Sequence, residues 1–579
     1  MAKTVTEEAA LGLIHEGWNH LMSQRPLAAW GSWQRAARLD PNSVAVREAL
    51  ATLESATDLP LAARKTYRFR RPRTESQRLQ WNQVFGNART TELEDAAAAF
   101  DHLVRLSGSD ADARFNLALC QAWLGRDLDA IDNLAAVVEL EAENRFEYAV
   151  EAWTLAEILR QGGGAETLAD DLRFACTYSW NAADTPELLA HYPEIRRIPT
   201  PVDPICTERI PSEIELFEWL EHPFPGILEA YAPKVYPRVL ATLYITPGSL
   251  RLSSPVGETL EIAEERLQRL LGDRLRPLDR VATPLPLPFK DADVWLLRFP
   301  EGLDPAGIQR ALREGVETYY ENQWIHRPRR ALQGRSPLAT ASLAHHGDRV
   351  ARAMLEAVVR IREQLGERRS LERNYQGYPF DRLRRRLGLE LNRAATVDDQ
   401  DLSCASPWEL EALRPEALDV HRLKEAFESA AGLRDDSLSI RFARPLAELE
   451  AFPPGLDPTS FLAPIVRQEM DRNQPDQAIA HIDRLLSRVG EPARSTLTTW
   501  KAEILARVRR PEEAATIYRA IVESSASALV ALDAAETLLD RGYPAYARRF
   551  LEQAERLAHD SGLAWIERRA RYELERLPP

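Results

Sequence analysis

Apolar and small residues recur at helical spacing through the first forty residues of the chain, from Glu7 to Leu39. A break at residues 24–26 and a stop at Asp40 divide this stretch in two. Apolar positions three and four residues apart lie on one face of a helix, and Pro26 suits a first helical turn. The pattern therefore predicts two antiparallel helices.

The following stretch repeats itself at an interval of 34 residues. This interval is typical of helix-turn-helix units that stack side by side, because a single unit cannot bury its apolar face. The repeated positions are Asn82, Asp95, Ala96, Val104 and Leu106, which recur as Asn116, Asp129, Ala130, Val138 and Leu140. A further helical pair over residues 149–160 and 166–178, with the glycines at 162–164 as its turn, is expected to close this block.

The first helical pair has small residues at Gly17, Ala29 and Ala36, a bulky residue at Trp33 and a terminal proline at Pro41. In this arrangement the pair resembles a tetratricopeptide repeat of bacterial type. Small residues suit the place where two helices cross closely. The resemblance implies a helical-repeat block over residues 1–183.

A second block with the same pattern is predicted over residues 457–579. Ala478, Ala514 and Ala547 are 36 and 33 residues apart, and each is followed four residues later by a bulky residue. The bulky residues are Ile482, Tyr518 and Leu551, and the turns that precede the alanines contain Pro475, Pro511 and Pro544. Residues 555–577 are expected to form a capping helix.

Proline becomes frequent between the two blocks, so residues 184–234 are predicted to be a connector. Alternating apolar residues then predict strands over 239–245 and 249–253, a third strand over 294–299, and helices over 258–271 and 305–322. These elements predict a small α+β module over residues 235–395, followed by an irregular or helical connector over 396–456. The predicted fold is mainly α, with two tetratricopeptide-like solenoid blocks flanking this central module.

One segment of the central module, residues 324–338, has the sequence WIHRPRRALQGRSPL. It resembles the Ala-Leu-x-Gly-x-Ser/Thr-Pro segment of uncharacterised bacterial proteins and of the toxin-binding end of MbcA/ParS-type antitoxins. Gly334 is expected to permit a tight turn, Ser336 to cap the next helix and Pro337 to occupy its first position. Two interpretations remain: Trp324 and Leu332 form core contacts, or the segment binds a partner.

Arginine alternates with aromatic residues in two clusters, over residues 64–73 and 368–386. This composition suits phosphate contact with base stacking, so a nucleic-acid-associated regulator is one hypothesis. The residues that would carry it are Arg68, Arg70, Arg71, Arg384 and Arg385. The alternative is that these arginines pair with acidic side chains of the same chain.

Composition narrows the functional classes. The net charge of −14 disfavours a general polyanion binder, and the four cysteines are far apart and are expected to be small buried residues. No apolar run reaches the roughly 18 residues that cross a bilayer, which favours a cytoplasmic location. Arginine greatly outnumbers lysine, which favours a bacterial origin. Phosphate-binding, zinc-protease and serine-hydrolase motifs are absent from the sequence, so neither catalytic residues nor a cofactor or metal is predicted.

The sequence therefore predicts a non-enzymatic adaptor or scaffold that holds a protein or peptide partner on its helical repeats. The alternatives are the nucleic-acid regulator and a toxin–antitoxin-like regulatory binder that acts through the central module. Aromatic and arginine side chains are the usual anchors of protein interfaces. The candidate partner contacts are Trp30, Trp123, Trp324, Arg327, Arg330 and Arg335, and among the tryptophans only Trp30 or Trp123 is expected to be exposed.

Overall fold

The chain divides into two compact units, Met1–Thr396 and Val397–Pro579. A computed structural model describes residues 2–56, 59–87, 92–162, 170–180, 189, 192, 194–198, 214–222, 236–271, 275–285, 296–299, 304–367, 375, 377–392, 398, 400–452 and 456–577. The fold is mainly α with one small antiparallel sheet, as the sequence predicts.

Helices dominate the first unit at both of its ends. They are α1 Ala2–Met22, α2 Pro26–Leu39, α3 Val44–Ser55, α4 Leu61–Arg64, α5 Glu75–Asn87, α6 Leu93–Leu106, α7 Ala111–Trp123, α8 Asp127–Glu141, α9 Phe146–Arg160, α10 Gly257–Leu271, α11 Pro305–Thr318, α12 Pro337–His345, α13 Arg349–Gly366 and α14 Asp381–Arg386. A π-helical turn, Tyr319–Gln323, follows α11, and short 3-10 turns cover Trp324–His326 and Arg330–Leu332.

Helices α6 to α9 form the array that the 34-residue repeat predicts, each packed on the next. Its small positions are closed off: Ala96 is 8% exposed, and Ala118 and Ala130 are fully buried. Helix α2, which packs on α1, also packs against α7, where Gly31 lies so close to the backbone of Trp123 that a methyl group would clash. Helix α13, nearly two hundred residues further along the chain, packs along α9 and extends the array.

The six described strands form one antiparallel sheet in the order β2-β3-β4-β5-β1-β6. They are β1 Leu172–Ser179, β2 Ile195–Arg197, β3 Glu215–Leu220, β4 Val239–Thr246, β5 Ser249–Ser254 and β6 Arg276–Pro284. Helix α10 covers one face, where Leu260, Ala263 and Leu267 pack on strand residues that include Leu243 and Leu252. The predicted strands at 239–245 and 249–253 and the predicted helix at 258–271 are confirmed.

The predicted helix over residues 166–178 is wrong in its described part, because residues 172–179 are strand β1. Phe174, Cys176 and Tyr178 alternate toward α10 and join its apolar core. Alternation with period two is the strand pattern. Residues 163–169, which include most of the predicted turn, lie outside the described residues.

Strands also occur where the sequence predicts a connector, since β2 and β3 lie within residues 184–234. Strand β6 was not predicted; it contains Pro277 and Pro284, which suit the outermost position that it occupies. The predicted third strand over 294–299 is wrong in its described part, where Leu297 forms only an isolated bridge with Arg238. The domain boundaries themselves stay predictions.

The second unit is a run of helices in its described residues. They are α15 Pro407–Ala412, α16 Val420–Gly432, α17 Asp436–Glu448, α18 Pro458–Asp471, α19 Pro475–Leu486, α20 Ala493–Arg507, α21 Pro511–Ser525, α22 Ala528–Asp540, α23 Pro544–Asp560 and α24 Ala564–Arg576. Ala478, Ala514 and Ala547 are fully buried, and the three predicted prolines begin α19, α21 and α23. The predicted capping helix over 555–577 is two helices, α23 and α24, with a turn between them.

Candidate functional site

Residues 65–73 cross the surface of the N-terminal array as an extended strip between α4 and α5. Residues 66–73 are neither helix nor strand, and within the described chain they make no backbone-to-backbone hydrogen bond. Side chains of α7, α8 and α9 hold them instead. We call residues 65–73 the arginine segment, and the surface that it contacts the acidic face, formed by Asp112, Phe115, Asn116, Glu141, Tyr148 and Glu151.

Asn116, on α7, clamps the backbone of the arginine segment. Its side-chain oxygen accepts a hydrogen bond of 2.7 Å from the backbone N–H of Arg70, and its amide nitrogen donates one of 2.9 Å to the carbonyl of the same residue. The side chain is fully buried. An amide can satisfy a backbone donor and acceptor together, so this contact recognises an extended chain whatever side chain it carries.

Arg70 inserts its guanidinium between aromatic rings. The Cζ atom lies 3.5 Å from the ring centroid of Phe115 and 4.5 Å from that of Tyr148. One Nη atom is 3.2 Å from Glu151, which also accepts a hydrogen bond of 2.8 Å from Lys65. This is a cation–π site closed by an ion pair.

Burial and neighbouring charges shift the pKa values of Arg70 and Glu151. Burial lowers the pKa of Arg70, and the carboxylate of Glu151 only partly offsets that effect. Burial alone would raise the pKa of Glu151, but the hydrogen bond and charge of Lys65, together with Arg70, hold it below its ordinary value. Glu151 is therefore ionised at neutral pH and is matched to a cationic ligand.

Arg73 occupies a second acidic position. Its guanidinium donates to both Asp112 and Glu141, which are 1% and 2% exposed. Burial lowers the pKa of Arg73, but these hydrogen bonds outweigh it and raise the pKa above its ordinary value. Arg145 also contacts Asp112 at 3.3 Å, so the two carboxylates belong to a small charge network.

Exposure varies from residue to residue along the arginine segment. Tyr67 is buried, and its hydroxyl donates to the carbonyl of Ala62, while burial raises its pKa. Arg68 and Arg71 are exposed. Phe69 is 41% exposed, although its ring contacts those of other aromatic residues. The segment thus contacts the array through some side chains and presents others to solvent.

A cleft of about 360 Å³ adjoins the arginine segment. It is lined in part by Lys65, Tyr67, Glu147, Glu151 and Arg360. Beyond the acidic face, the cleft adds one further carboxylate, Glu147, which pairs with Arg360 at 3.2 Å.

The structure corrects part of the prediction for the tryptophans. Trp123 is only 7% exposed, so its predicted exposure is wrong; Gly31 lets α2 approach closely and cover it. Trp30 is half-buried, and its ring centroid lies 4.8 Å from that of Trp123. Trp324 is fully buried, which confirms its predicted place in the core and leaves it no surface to offer a partner.

The Ala-Leu-x-Gly segment is held from within the first unit. Trp153 on α9 donates a hydrogen bond of 2.9 Å to the carbonyl of Ala331, and Asp170 accepts from the backbone N–H groups of Arg330 and Ala331. Burial raises the pKa of Asp170, and the nearby charge of Glu157 adds to this effect. The core interpretation of this segment is therefore confirmed.

The turn in this segment follows the predicted chemistry. Ser336 accepts from the N–H of Ala339 at 3.2 Å, and Pro337 begins α12. Gln333 and Gly334 both have positive φ, 57° and 79°. Glycine adopts this left-handed backbone more readily than glutamine, so Gln333 holds a strained position in the turn.

The predicted partner contacts Arg327, Arg330 and Arg335 differ in how far their side chains are exposed. Arg330 and Arg335 are exposed, whereas Arg327 is half-buried with its guanidinium 5.3 Å from the ring centroid of Tyr319. Partner binding at these residues stays a prediction. Their neighbour Arg329 is buried and pairs with Asp171 at 2.9 Å.

The second arginine cluster folds inward. Arg384 is 2% exposed and donates to Glu356 and Glu363, whose hydrogen bonds outweigh burial and raise its pKa. Arg385 is half-buried. The prediction that the arginines pair within the chain is confirmed for Arg70 and Arg384, which leaves Arg68 and Arg71 as the exposed members of the nucleic-acid hypothesis.

The described residues contain no cluster of three or more histidine, cysteine, aspartate or glutamate side chains that could hold a metal ion. None of their helices has both the length and the apolar character that crossing a membrane requires. Cys120, Cys176 and Cys404 are buried as predicted and form no disulfide bond within the described residues, while Cys206 lies outside them.

The sequence prediction missed the acidic face, because its residues come from three helices and meet only after packing. The sequence shows only that Asn82 and Asn116 are repeat-equivalent; the structure adds that Asn116 alone is buried, and a buried asparagine in a helix requires a polar partner.

No family model matches the chain, and no curated protein matches it. Among solved structures, the chain is similar to yeast Tom70, with 12% sequence identity, coverage of 98% of this chain and 96% of that chain, and a TM-score of 0.22. It is also similar to a structure of Naa15/Naa10 bound to HypK-THB, with 10% identity, coverage of 98% and 78%, and a TM-score of 0.23. Neither likeness is strong enough to carry an argument about function.

Proposed function

We propose that this chain is a non-enzymatic adaptor that binds an extended segment of a partner protein on the acidic face of its N-terminal helical array. The observation that carries the proposal is the bound arginine segment. Asn116 reads its backbone, and carboxylates and aromatic rings on α7, α8 and α9 receive its side chains.

These contacts have the chemistry of peptide recognition. Hydrogen bonds to the main chain give affinity without regard to sequence, and pockets for alternate side chains give specificity. Arg70 and Arg73 each meet a separate acidic position. A surface of this kind suits an extended protein segment better than a folded domain.

The nucleic-acid alternative is less well supported. Arg70 and Arg384, two of its five candidate residues, are engaged by glutamates of the same chain. A phosphate would have to displace those carboxylates inside a protein of net charge −14. The toxin–antitoxin alternative is also less well supported, because Trp324, Ala331 and Leu332 are fully buried.

Affinity capture from extracts of the source cells tests the adaptor role. Two full-length baits are compared: the wild-type chain and a variant that carries Asp112→Asn with Glu141→Gln, which removes two negative charges from the acidic face at nearly constant shape. We expect a protein partner that survives nuclease treatment and is depleted with the variant. The purified partner should then bind the wild-type chain directly in calorimetry.

Two results would contradict the proposal. One is the loss of every partner on nuclease treatment, which favours the nucleic-acid hypothesis. The other is equal recovery of the same partners by both baits, which moves binding away from the acidic face. Circular dichroism of the two baits confirms that they are equally folded.

A further inference from the structure

We infer that the arginine segment is an internal ligand of the acidic face, and that the partner which replaces it is an extended basic peptide with two arginines three residues apart. This inference rests on the proposed function and adds to it the chemical class of the partner and a form of self-occlusion.

The spacing of the contacts defines the ligand. Arg70 enters the site of Phe115, Tyr148 and Glu151, and Arg73, three residues later, enters the site of Asp112 and Glu141. Pro72 has a fixed φ that suits an extended chain, and it disfavours the helical conformation at the preceding residue, Arg71. In an extended helix of three residues per turn, residues three apart share one side, so both arginines reach the array together.

The exposed arginines beside them are not selected, whereas Phe69 adds ring contacts and Lys65 pairs with Glu151. Arg68 and Arg71 are exposed, and Asn116 contacts only backbone atoms of the segment. A ligand is therefore defined by two guanidinium groups and an extended chain. Lysine is a poorer substitute because it lacks the planar group that stacks on the rings.

The internal segment is an imperfect ligand. The Nε and Nη1 atoms of Arg70 are buried but donate to no oxygen atom among the described residues, and the Oε2 atom of Glu141 likewise receives no hydrogen bond there. Buried polar groups without partners cost free energy. Displacement of the segment returns the two Arg70 nitrogens to water, and an external peptide that donates to Oε2 of Glu141 gains a hydrogen bond that the internal segment leaves unmade.

Covalent attachment compensates for the imperfect fit. A tethered segment competes at an effective concentration in the millimolar range, so a separate peptide at micromolar concentration meets an acidic face that is already occupied. Its apparent affinity falls in proportion to the fraction of molecules whose face is free. Weakening the internal segment should therefore strengthen the binding of a separate peptide.

The experiment uses a fluorescein-labelled peptide with the sequence of residues 64–74, titrated into the full-length chain and followed by fluorescence anisotropy. The test variant carries Arg70→Ala with Arg73→Ala. The matched control carries Arg68→Ala with Arg71→Ala, which removes the same charge from exposed positions of the same segment. We expect the test variant to bind the peptide at least tenfold more tightly than either the wild-type chain or the control.

The peptide supplies the second comparison. A version with alanine in place of the arginines at positions 70 and 73 should lose binding at least tenfold, whereas alanine at positions 68 and 71 should have little effect. Equal binding of both altered peptides, or an equal gain in the test and control variants, would overturn the inference. So would a folded test variant that shows no gain.

A further variant covers the case in which the alanine changes prevent folding, as judged by circular dichroism. Arg70→Lys with Arg73→Lys keeps both charges but removes stacking and forked hydrogen bonds. A gain of at least threefold in peptide binding by the lysine variant supports the inference, and no gain overturns it.

The two proposals fail in distinguishable ways. If the peptide binds no variant but partner capture still depends on Asp112 and Glu141, the adaptor role stands and the internal-ligand inference is wrong. If capture is also independent of those carboxylates, both are wrong.

Discussion

Replacement of Asn116 with alanine isolates the backbone clamp from the charge contacts around it. The substitution removes two hydrogen bonds, of 2.7 and 2.9 Å, to Arg70 from a fully buried side chain. A hydrogen bond contributes about 1 kcal/mol net, so the arginine segment should lose about 2 kcal/mol of local stability. A loss of this size increases the open fraction of the segment roughly thirtyfold.

Hydrogen exchange followed by mass spectrometry measures that opening directly. The Arg70 amide, which donates to Asn116, should exchange at least thirtyfold faster in Asn116→Ala, while helices of the second unit keep their rates. Asn82 offers a matched control, since it stands at the equivalent repeat position but is exposed. Asn82→Ala should leave exchange of the segment unchanged. Equal effects of the two substitutions, or no effect of Asn116→Ala, would refute the clamp.

Three further predictions concern acid, packing and buried charge. The folded pKa of Glu151 lies below its ordinary value of 4.5, so the stability that the ionised side chain contributes is complete above pH 4.5 and is lost as pH falls through the folded pKa. The melting-temperature difference between wild type and Glu151→Gln should therefore shrink on acidification, and a constant difference would contradict this. Gly31→Ala places a methyl group 2.2 Å from a backbone oxygen and should lower the free energy of unfolding in urea by about 1–3 kcal/mol. The control Gly12→Ala, whose methyl group has no atom within 4 Å, should raise that free energy by about 0.5–1 kcal/mol, and shifts of the same sign would be inconsistent with the packing of α2. Arg362→Met removes the guanidinium that lies against Asp171 and Glu157, and it should lower the free energy of unfolding by roughly 3–5 kcal/mol. The exposed control Arg68→Met should lower it by less than about 0.5 kcal/mol, and a loss below about 1 kcal/mol for Arg362→Met would argue against the buried pairing.

The periodic pattern predicted most helices because it depends on local spacing. Ala478, Ala514 and Ala547 were placed correctly at crossing points, since close helix packing requires small residues wherever the partner helix lies. The strand at 172–179 was missed although Phe174, Cys176 and Tyr178 alternate, because a repeat pattern led the prediction to continue as helix.

The acidic face was only half predictable. Its arginines were expected to pair within the chain, and Arg70 and Arg73 do. Their partners were not identified, because Asp112 and Glu151 lie about forty and eighty residues further along the chain and become neighbours only when three helices stack. Charge alone does not specify which of many carboxylates an arginine meets.

Helix α9 shows what the sequence reading left out. A repeat array usually ends in a helix with one polar face, because that face meets solvent. Residues 149–160 of α9 are almost all buried, so the helix requires cover on every side. Its cover comes from α8, from distant α13, from α4 and from the turn whose Ala331 carbonyl binds Trp153. The burial of this stretch therefore shows that the array continues with chain from elsewhere, and it explains why the repeat block and the central module pack as parts of one unit.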